Sequence, residues 1–95
     1  MNTSYIYIIS DGQDYKVGVS INPNKRLKHL QTGNPKKLKI IALFEVDKKD
    51  VYKMEKEAHR KIQAWYPKRG EWFTGASEFH VNLLVDEVHQ KYSKP

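Results

Sequence analysis

The strongest constraint on the fold is a pair of strand-like segments near the start of the chain, separated by a turn sequence. Tyr5 to Ile9 is aromatic and β-branched, and Tyr15 to Val19 has a similar character; both patterns predict strands. Asp11-Gly12 between them favours a two-residue hairpin loop, because glycine tolerates the positive φ that such a turn requires. The sequence therefore predicts a β-hairpin, against which the other elements have to fit.

The two-residue loop would also fix the register of the hairpin. Tyr7 would lie opposite Lys16, and Tyr5 opposite Gly18. Side chains alternate between the faces of a strand, so Tyr5, Tyr7 and Lys16 would share one face. The other face would carry Ile6, Ile8, Tyr15 and Val17.

A helix and a third strand are predicted next. Asn22 as N-cap and Pro23 at the first position are typical of a helix start, and Gly33 is typical of a helix end. The segment from Leu38 to Val46 alternates as a strand. Its predicted apolar face consists of Leu38, Ile40, Ala42, Phe44 and Val46.

Two further helices complete the prediction. Asp50 is expected to cap a helix that runs to about Trp65, and Ser77 is expected to cap the last helix. A short extended piece from Glu71 to Thr74 would lie between them. The core-facing stripes are Val51, Met54, Ala58, Ile62 and Trp65 in one helix, and Val81, Leu84, Val85, Val88 and Tyr92 in the other.

These elements predict a single α+β domain over residues 1–95. Its order is β-β-α-β-α-(β)-α, which favours a small three-stranded antiparallel sheet flanked by helices. The chain has no cysteine, which excludes disulfides and cysteine-ligated zinc. No apolar run approaches the ~20 residues that span a bilayer. We therefore expect an intracellular, cytoplasmic protein that does not bind membranes.

Positive charge is concentrated in the middle of the chain. The 17 Lys and Arg residues exceed the 11 Asp and Glu residues, which gives a net charge of +6. Between Tyr15 and Phe44 there are seven basic residues and no acidic one. A one-sided basic field attracts polyanions such as nucleic acid. The alternative is a solubilising surface with no ligand.

Two charged residues lie where an amphipathic pattern would not put them. Glu55 lies at the edge of the apolar stripe of its helix, where a divalent cation or an arginine would compensate its lost hydration. The alternative is a structural salt bridge. Arg26 lies beside Leu27 on the first helix, where its guanidinium could bind a phosphate or its stem could simply cover apolar surface.

Tyrosine and histidine positions add to this set. A lysine beside the Tyr7 phenol would favour the phenolate, which suits a general base; the alternative is ordinary cross-strand packing. His59 follows Glu55 by one helical turn, so both point the same way. His80 and His89 are expected to be solvated. Tyr52, Trp65, Trp72 and Phe73 are expected in the core rather than as platforms for nucleobases.

Five segments, in this order, resemble the GIY-YIG nuclease superfamily, in particular its small stand-alone branch of phages and bacteria. They are Tyr5-Ile6-Tyr7, Lys16-Val17-Gly18, Lys25-Arg26-Leu27 with the following Leu30 to Pro35, the pair Glu55 and His59, and Gly70-Glu71-Trp72-Phe73. The resemblance covers residues from Tyr5 to about Phe73. It implies a metal-dependent endonuclease that hydrolyses phosphodiester bonds in DNA.

The resemblance also assigns expected roles. Tyr7 would be the general base, Arg26 would stabilise the transition state, and Glu55 would be the single protein ligand of one Mg²⁺ or Mn²⁺. Tyr5 and Gly18 match structural positions of the two motifs, although Tyr5 replaces a glycine. Lys16 replaces the tyrosine of the second motif, so we include it with the catalytic residues. The expected DNA contacts are Lys25, Lys28, His29, Lys36, Lys37 and His59.

Two other functions remain open at this point. A module of the same fold could bind nucleic acid without cutting it, and an adaptor could use the fold for protein contacts alone. The presence of Tyr7, Arg26 and Glu55 together favours the enzyme over the binding module, and an adaptor would not need the cluster of basic residues. The oligomeric state is also open: a monomer would nick one strand, whereas a dimer could cut both.

Overall fold

The computed structural model describes residues 3–93, which form one antiparallel sheet with helices on both faces. The outermost two residues at each end of the predicted 1–95 domain lie outside the described residues. The elements are β1 (Thr3–Ser10), β2 (Tyr15–Ser20), α1 (Pro23–Gln31), β3 (Lys39–Asp47), α2 (Val51–Gln63), β4 (Lys68–Arg69), β5 (Trp72–Phe73) and α3 (Glu78–Ser93). The predicted α+β class and the order of the long elements are confirmed.

The sheet has five strands in the order β3-β1-β2-β5-β4, two more than the three that were predicted. The two additional strands have two residues each and pair with one another across a turn at Gly70, whose φ is +60°. Of the two, β5 lies within the extended piece predicted from Glu71 to Thr74, whereas β4 shows no alternation that a sequence pattern could detect. The three long strands are those that were predicted.

The hairpin between β1 and β2 has a longer loop than predicted. Ser10 pairs with Tyr15, so residues 11–14 form the loop. The Asp11 carboxylate accepts hydrogen bonds from the backbone N–H groups of residues 13 and 14, at 2.9 and 2.7 Å. An aspartate that bonds its own following backbone favours this wider turn, and the Asp11-Gly12 dipeptide alone did not reveal it.

The longer loop changes the cross-strand partners but keeps the faces. Tyr7 lies opposite Gly18, and Lys16 lies opposite Ile9, so the predicted Tyr7–Lys16 and Tyr5–Gly18 pairs were wrong. The register differs by an even number of residues, and each side chain therefore stays on its predicted face. Tyr7 and Lys16 are diagonal neighbours on one face of the sheet.

Helices α2 and α3 cover one face and build most of the core. Four residues of the predicted α2 stripe are buried, namely Val51, Met54, Ala58 and Ile62. Full burial of a side chain such as Met54 contributes about 1.5–3 kcal/mol. The larger core cluster also contains Ile6, Ile8 and Val17 of the hairpin and Val81, Leu84, Val85 and Val88 of α3.

Two details of α2 differ from the prediction. Trp65 is 65% exposed rather than part of the core, because α2 ends at Gln63 and the chain turns away. Asp50 occupies the N-cap position, but its side chain makes no capping hydrogen bond. The exposed Trp65 ring instead packs against His80, with ring centroids 4.9 Å apart.

The opposite face carries only α1 and a small cluster. Its buried members are Tyr7, Ile9 and Leu38, with Leu27 and Leu30 of α1 packed against them. Helix α1 begins as predicted, because the Asn22 side chain accepts a hydrogen bond from the backbone N–H of Lys25 at 3.2 Å.

Strand β3 contributes to both clusters, so its predicted single apolar face was wrong. A bulge at Ile41 lets Ala42 pair with Ile8 and Ile40 pair with Ile9. One extra residue reverses the side-chain alternation beyond it. Leu38 and Ile40 therefore lie with α1, whereas Ala42, Phe44 and Val46 lie with the helices α2 and α3.

The last helix follows the prediction closely. The Ser77 hydroxyl accepts from the backbone N–H of His80 at 3.1 Å, and the predicted apolar stripe faces the core. His80 bonds the Tyr66 hydroxyl, and the His89 ring bonds the Glu45 carbonyl at 2.8 Å, so neither is merely solvated as expected. Among residues 3–93, no helix is both long and apolar enough to cross a bilayer.

Candidate functional site

The candidate site is a cleft at the edge of β2. Along β2, strand β5 pairs only with the first residue, Tyr15, so the rest of this edge is not covered by a strand among residues 3–93. A cleft of about 220 Å³ lies there, and we call it the β2 cleft. Helix α1 approaches it from one face of the sheet and α2 from the other.

Most of the residues that the sequence singled out for chemistry line this cleft. They are Tyr7, Lys16, Gly18, Arg26, Glu55 and His59. The first three come from the hairpin, Arg26 from α1, and the last two from α2. Although α2 packs on the face opposite Tyr7, its Glu55 side reaches the cleft around the uncovered strand edge. Residues distant in the sequence therefore converge on one concave surface.

Tyr7 occupies its position because Gly18 lies opposite. Tyr7 is only 2% exposed, and its ring passes over the Gly18 backbone. A Cβ on Gly18 would lie 3.0 Å or less from the hydroxyl oxygen and two ring carbons of Tyr7. Such a contact is too close for ordinary packing, so only glycine leaves room for the phenol. Within residues 3–93 the Tyr7 hydroxyl has no hydrogen-bond partner, and it is therefore available to a ligand in the cleft.

Lys16 is buried and binds an acidic partner. Its side chain is 6% exposed, and its ammonium donates to the Glu71 carboxylate at 2.8 Å. This hydrogen bond and the positive charge of Lys16 hold the pKa of Glu71 below its usual value. The sequence had paired Lys16 with Tyr7 alone, whereas the direct partner of its charge is Glu71.

The Glu55 carboxylate has little around it, among the described residues, that compensates its negative charge. Its side chain is 29% exposed, and the only basic side chain within 4.0 Å among the described residues is His59, with 4.0 Å between Oε2 and Nε2. That distance is too long for a hydrogen bond. Both carboxylate oxygens thus remain free to bind a cation or a water molecule.

His59 is fully engaged inside the protein. Its Nε2 lies 2.7 Å from the Val17 carbonyl oxygen, and its Nδ1 lies 3.1 Å from the Lys68 ammonium. A carbonyl requires a donor and an ammonium requires an acceptor, so the neutral ring with its proton on Nε2 satisfies both. We infer that His59 fixes α2 to the edge of β2, which leaves neither ring nitrogen for the DNA contact predicted from the sequence.

Arg26 presents an exposed guanidinium to the cleft from the first turn of α1. No residue between 3 and 93 forms a hydrogen bond or a salt bridge to it, although its charge acts on Glu71 at longer range. The planar fork of its N–H donors suits the oxygens of a phosphate.

The other predicted DNA contacts lie at different distances from the cleft. Lys25 and His29 share one side of α1 with Arg26 and line a neighbouring recess of about 290 Å³. Lys28 and Lys37 are exposed and line neither this recess nor the cleft. Lys36 lies 3.7 Å from the Asp11 carboxylate, which partly compensates its charge.

The cleft fits a metal ion that needs few protein ligands. Within residues 3–93 no group of three or more His, Asp or Glu side chains could hold a metal. A structural zinc site with four protein ligands therefore does not fit. Mg²⁺ retains several waters and binds through one or two carboxylates together with substrate phosphates. The Glu55 carboxylate, partly hydrated and without a hydrogen bond, suits such an ion.

Two lining residues were not assigned a role from the sequence. Glu71 belonged to the matched motifs, but only the fold brings it to Lys16. Tyr52 was expected in the core, yet it is 73% exposed and lines the cleft. Its spacing of three residues from Glu55, on the same side of α2, is the signal that could have identified it.

Comparison with known proteins identifies the family. Neither the curated proteins nor the solved structures gave a significant match. A family model, however, matches residues 4–92, which is nearly the whole chain and includes every residue that lines the cleft. The chain belongs to the T5orf172 domain family, a family of nuclease-like phage domains.

Proposed function

We propose that the protein is a metal-dependent DNA endonuclease of the GIY-YIG type and that the β2 cleft is its active site. The observation that supports this most is the meeting of three groups without hydrogen-bond partners in the described structure: the Tyr7 hydroxyl, the Arg26 guanidinium and the Glu55 carboxylate. A fold gains no stability from polar groups that it brings together and leaves unpaired. Such groups are typical of a site that a ligand completes.

The chemistry of these residues suits phosphodiester hydrolysis. Arg26 binds the non-bridging oxygens of the scissile phosphate and stabilises the charge that develops on them. Tyr7 acts as the general base in its phenolate form: its oxygen faces the cleft, no other described residue binds it, and it takes up the proton that the attacking water loses. The buried Lys16 ammonium lies on the same face of the sheet as this phenol, and its ion pair with Glu71 holds it in place.

Glu55 is the proposed ligand of one Mg²⁺ or Mn²⁺. When bound, the ion would supply Lewis-acid stabilisation of phosphoryl charge. His59 serves as a positioning residue, since its bond to the Val17 carbonyl holds the α2 segment that carries Glu55. The remaining lysines of the basic region would contact the DNA backbone, which gives affinity but little sequence selectivity.

A plasmid assay tests the proposal. Supercoiled DNA incubated with the protein and Mg²⁺ or Mn²⁺ is expected to be nicked, and Glu55→Gln should abolish the nicking. Glu57→Gln is the matched control, because Glu57 lies on the same helix but binds Tyr92 and Lys91 outside the cleft. The control should retain activity.

The same assay distinguishes the alternatives. A salt-sensitive gel shift without nicking, equal in wild type and Glu55→Gln, would identify a binding module instead. If the protein neither nicked nor bound the DNA, the result would support a protein adaptor. Either result would overturn the proposed enzyme.

A further inference from the structure

A second recess adjoins the β2 cleft at the start of α2. It has a volume of about 400 Å³, and we call it the Tyr52 recess. Val19 and Tyr52 line both it and the β2 cleft, so the two spaces share a wall. A ligand whose phosphate lies in the cleft would thus have its neighbouring groups at the entrance of this recess.

The rim of the recess is formed by exposed apolar side chains. Tyr52 is 73% exposed and Ile21 is 67% exposed, although both are large enough to be buried in an ordinary core. No described residue hydrogen-bonds the Tyr52 hydroxyl or stacks on its ring. An exposed aromatic face beside a proposed phosphate site is typical of platforms on which nucleobases stack.

The interior of the recess combines apolar walls with hydroxyl groups. Val51 and Ser4 are each 2% exposed and lie at its floor. The Ser4 hydroxyl donates to the Ser20 carbonyl at 3.4 Å, which leaves its lone pairs available to a donor from a ligand. Lys48 adds a cation at the opening. A flat apolar wall, a buried hydroxyl and a nearby cation together match the chemistry of a nucleotide.

We propose that the Tyr52 recess receives one unpaired nucleobase next to the phosphate that is cut. The base stacks on Tyr52, and Ile21 covers its other side. An intact duplex keeps its bases stacked inside the helix, so they reach such a recess only after unpairing, at a cost of a few kcal/mol. The substrate class is therefore single-stranded or locally opened DNA rather than continuous duplex. This inference rests on the proposed function, because it takes the β2 cleft as the phosphate site.

Binding measured without metal tests the recess separately from the cutting. Fluorescence anisotropy in EDTA would compare a labelled single-stranded oligonucleotide with the same sequence as a duplex. Tyr52→Ala is expected to weaken single-strand binding about 5- to 150-fold, the range for loss of one base–aromatic stack, and to leave duplex binding unchanged. Tyr52→Phe keeps the ring and should bind as wild type does.

Two controls separate stacking from other effects. Phe79→Ala removes another exposed aromatic ring, on α3 and outside the cleft, and should change neither affinity. Thermal melts should show that Tyr52→Ala unfolds as wild type does, because the residue is mostly exposed. Equal weakening for both DNA forms, no weakening, or an equal loss in Tyr52→Phe would each overturn the proposal.

A cleavage assay on the same variants shows whether the recess proposal or the nuclease proposal has failed. Metal-dependent cutting that Tyr52→Ala leaves unchanged on single-stranded, gapped and continuous DNA would overturn the recess and leave the nuclease standing. Loss of single-strand binding in Tyr52→Ala, with no cutting of any substrate by wild type, would refute the nuclease and support the recess as a site for nucleobases.

Discussion

Two glutamates of α2, two residues apart, have opposite environments. Glu57 faces α3, where it accepts hydrogen bonds from the Tyr92 hydroxyl at 2.6 Å and from the Lys91 ammonium at 3.0 Å. Glu55 faces the β2 cleft, where the only basic side chain within 4.0 Å among residues 3–93 is His59. The same residue type on one helix is thus paired on one side and left unpaired on the other.

The difference separates the part of the molecule that maintains the fold from the part that is available to a ligand. The Glu57 side joins α2 to α3 over the larger core cluster, in which fourteen buried residues take part. The face that carries α1 has a buried cluster of three described residues. Polar groups lack partners where packing is thinnest, so substitutions in the cleft should affect activity more than stability.

After Glu55→Gln, Arg26→Ala should give the largest loss of activity on the cleft side. Loss of a charge-stabilising group at a transition state costs about 10²- to 10³-fold in rate. Stability should hardly change, because the guanidinium is exposed and forms no hydrogen bond with a described residue. Nicking rates and urea midpoints measure the two effects. Arg60→Ala, on the exposed side of α2, is the matched control and should leave both values near those of wild type.

Gly18→Ala should affect both activity and stability. The added methyl would collide with the Tyr7 ring, and strain of this kind costs about 1–3 kcal/mol. Displacement of the phenol should also reduce cutting. Combination with Tyr7→Ala should remove the collision, so the double variant should lose less stability than the sum of the two single variants. Additive losses would show that the ring does not depend on this glycine.

Tyr92→Phe tests the paired side of α2. Loss of the hydroxyl should cost about 1 kcal/mol and leave cutting unchanged. The hydrogen bond to Glu57 raises the pKa of Tyr92 to about 12 from its ordinary 10.0. The stabilisation is therefore complete below about pH 10 and is lost as the pH rises towards 12. In urea titrations, the stability difference between wild type and Tyr92→Phe should shrink over that range.

Glu71→Gln should give the smallest effect on stability. The Glu71 carboxylate is 73% exposed and the Lys16 side chain only 6%, but the glutamine oxygen can still accept from the Lys16 ammonium, so the loss should stay below about 1 kcal/mol. Because Lys16 lowers the pKa of Glu71, the contribution is present above the unfolded value of about 4.5 and is lost as the pH falls through the lowered folded value. Acid titrations of the two proteins should therefore converge at low pH. If the difference in the free energy of unfolding between wild type and Glu71→Gln stayed constant with pH, this ion pair would be excluded as its cause.

Local patterns predicted the parts of the fold that depend on neighbouring residues. The Asn22 cap, the Ser77 cap and the buried stripe of α3 all follow from short-range spacing. The same holds for the faces of the hairpin, which survive the change in register. These features need only the geometry of one helix or one strand.

The remaining features depend on contacts between distant segments. The bulge at Ile41 arises where β3 meets β1, and no alternation within β3 reveals it. The Lys16–Glu71 bond joins residues 55 positions apart. Trp65 fits the helical apolar stripe of α2 and Tyr52 was expected in the core, yet the fold leaves both exposed. Residue types pointed to the candidate site, and the three-dimensional packing decided which partner each one received.

The uncovered edge of β2 also bears on solubility. Free strand edges invite pairing with a strand of another molecule, which is a common start of aggregation. Here the His59 ring already bonds the Val17 carbonyl, and side chains from α1 and α2 flank the edge. A strand of another molecule would have to break the bond between His59 and the Val17 carbonyl, and pass between these side chains, before it could extend the sheet. We therefore expect this free edge to be protected against edge-to-edge aggregation.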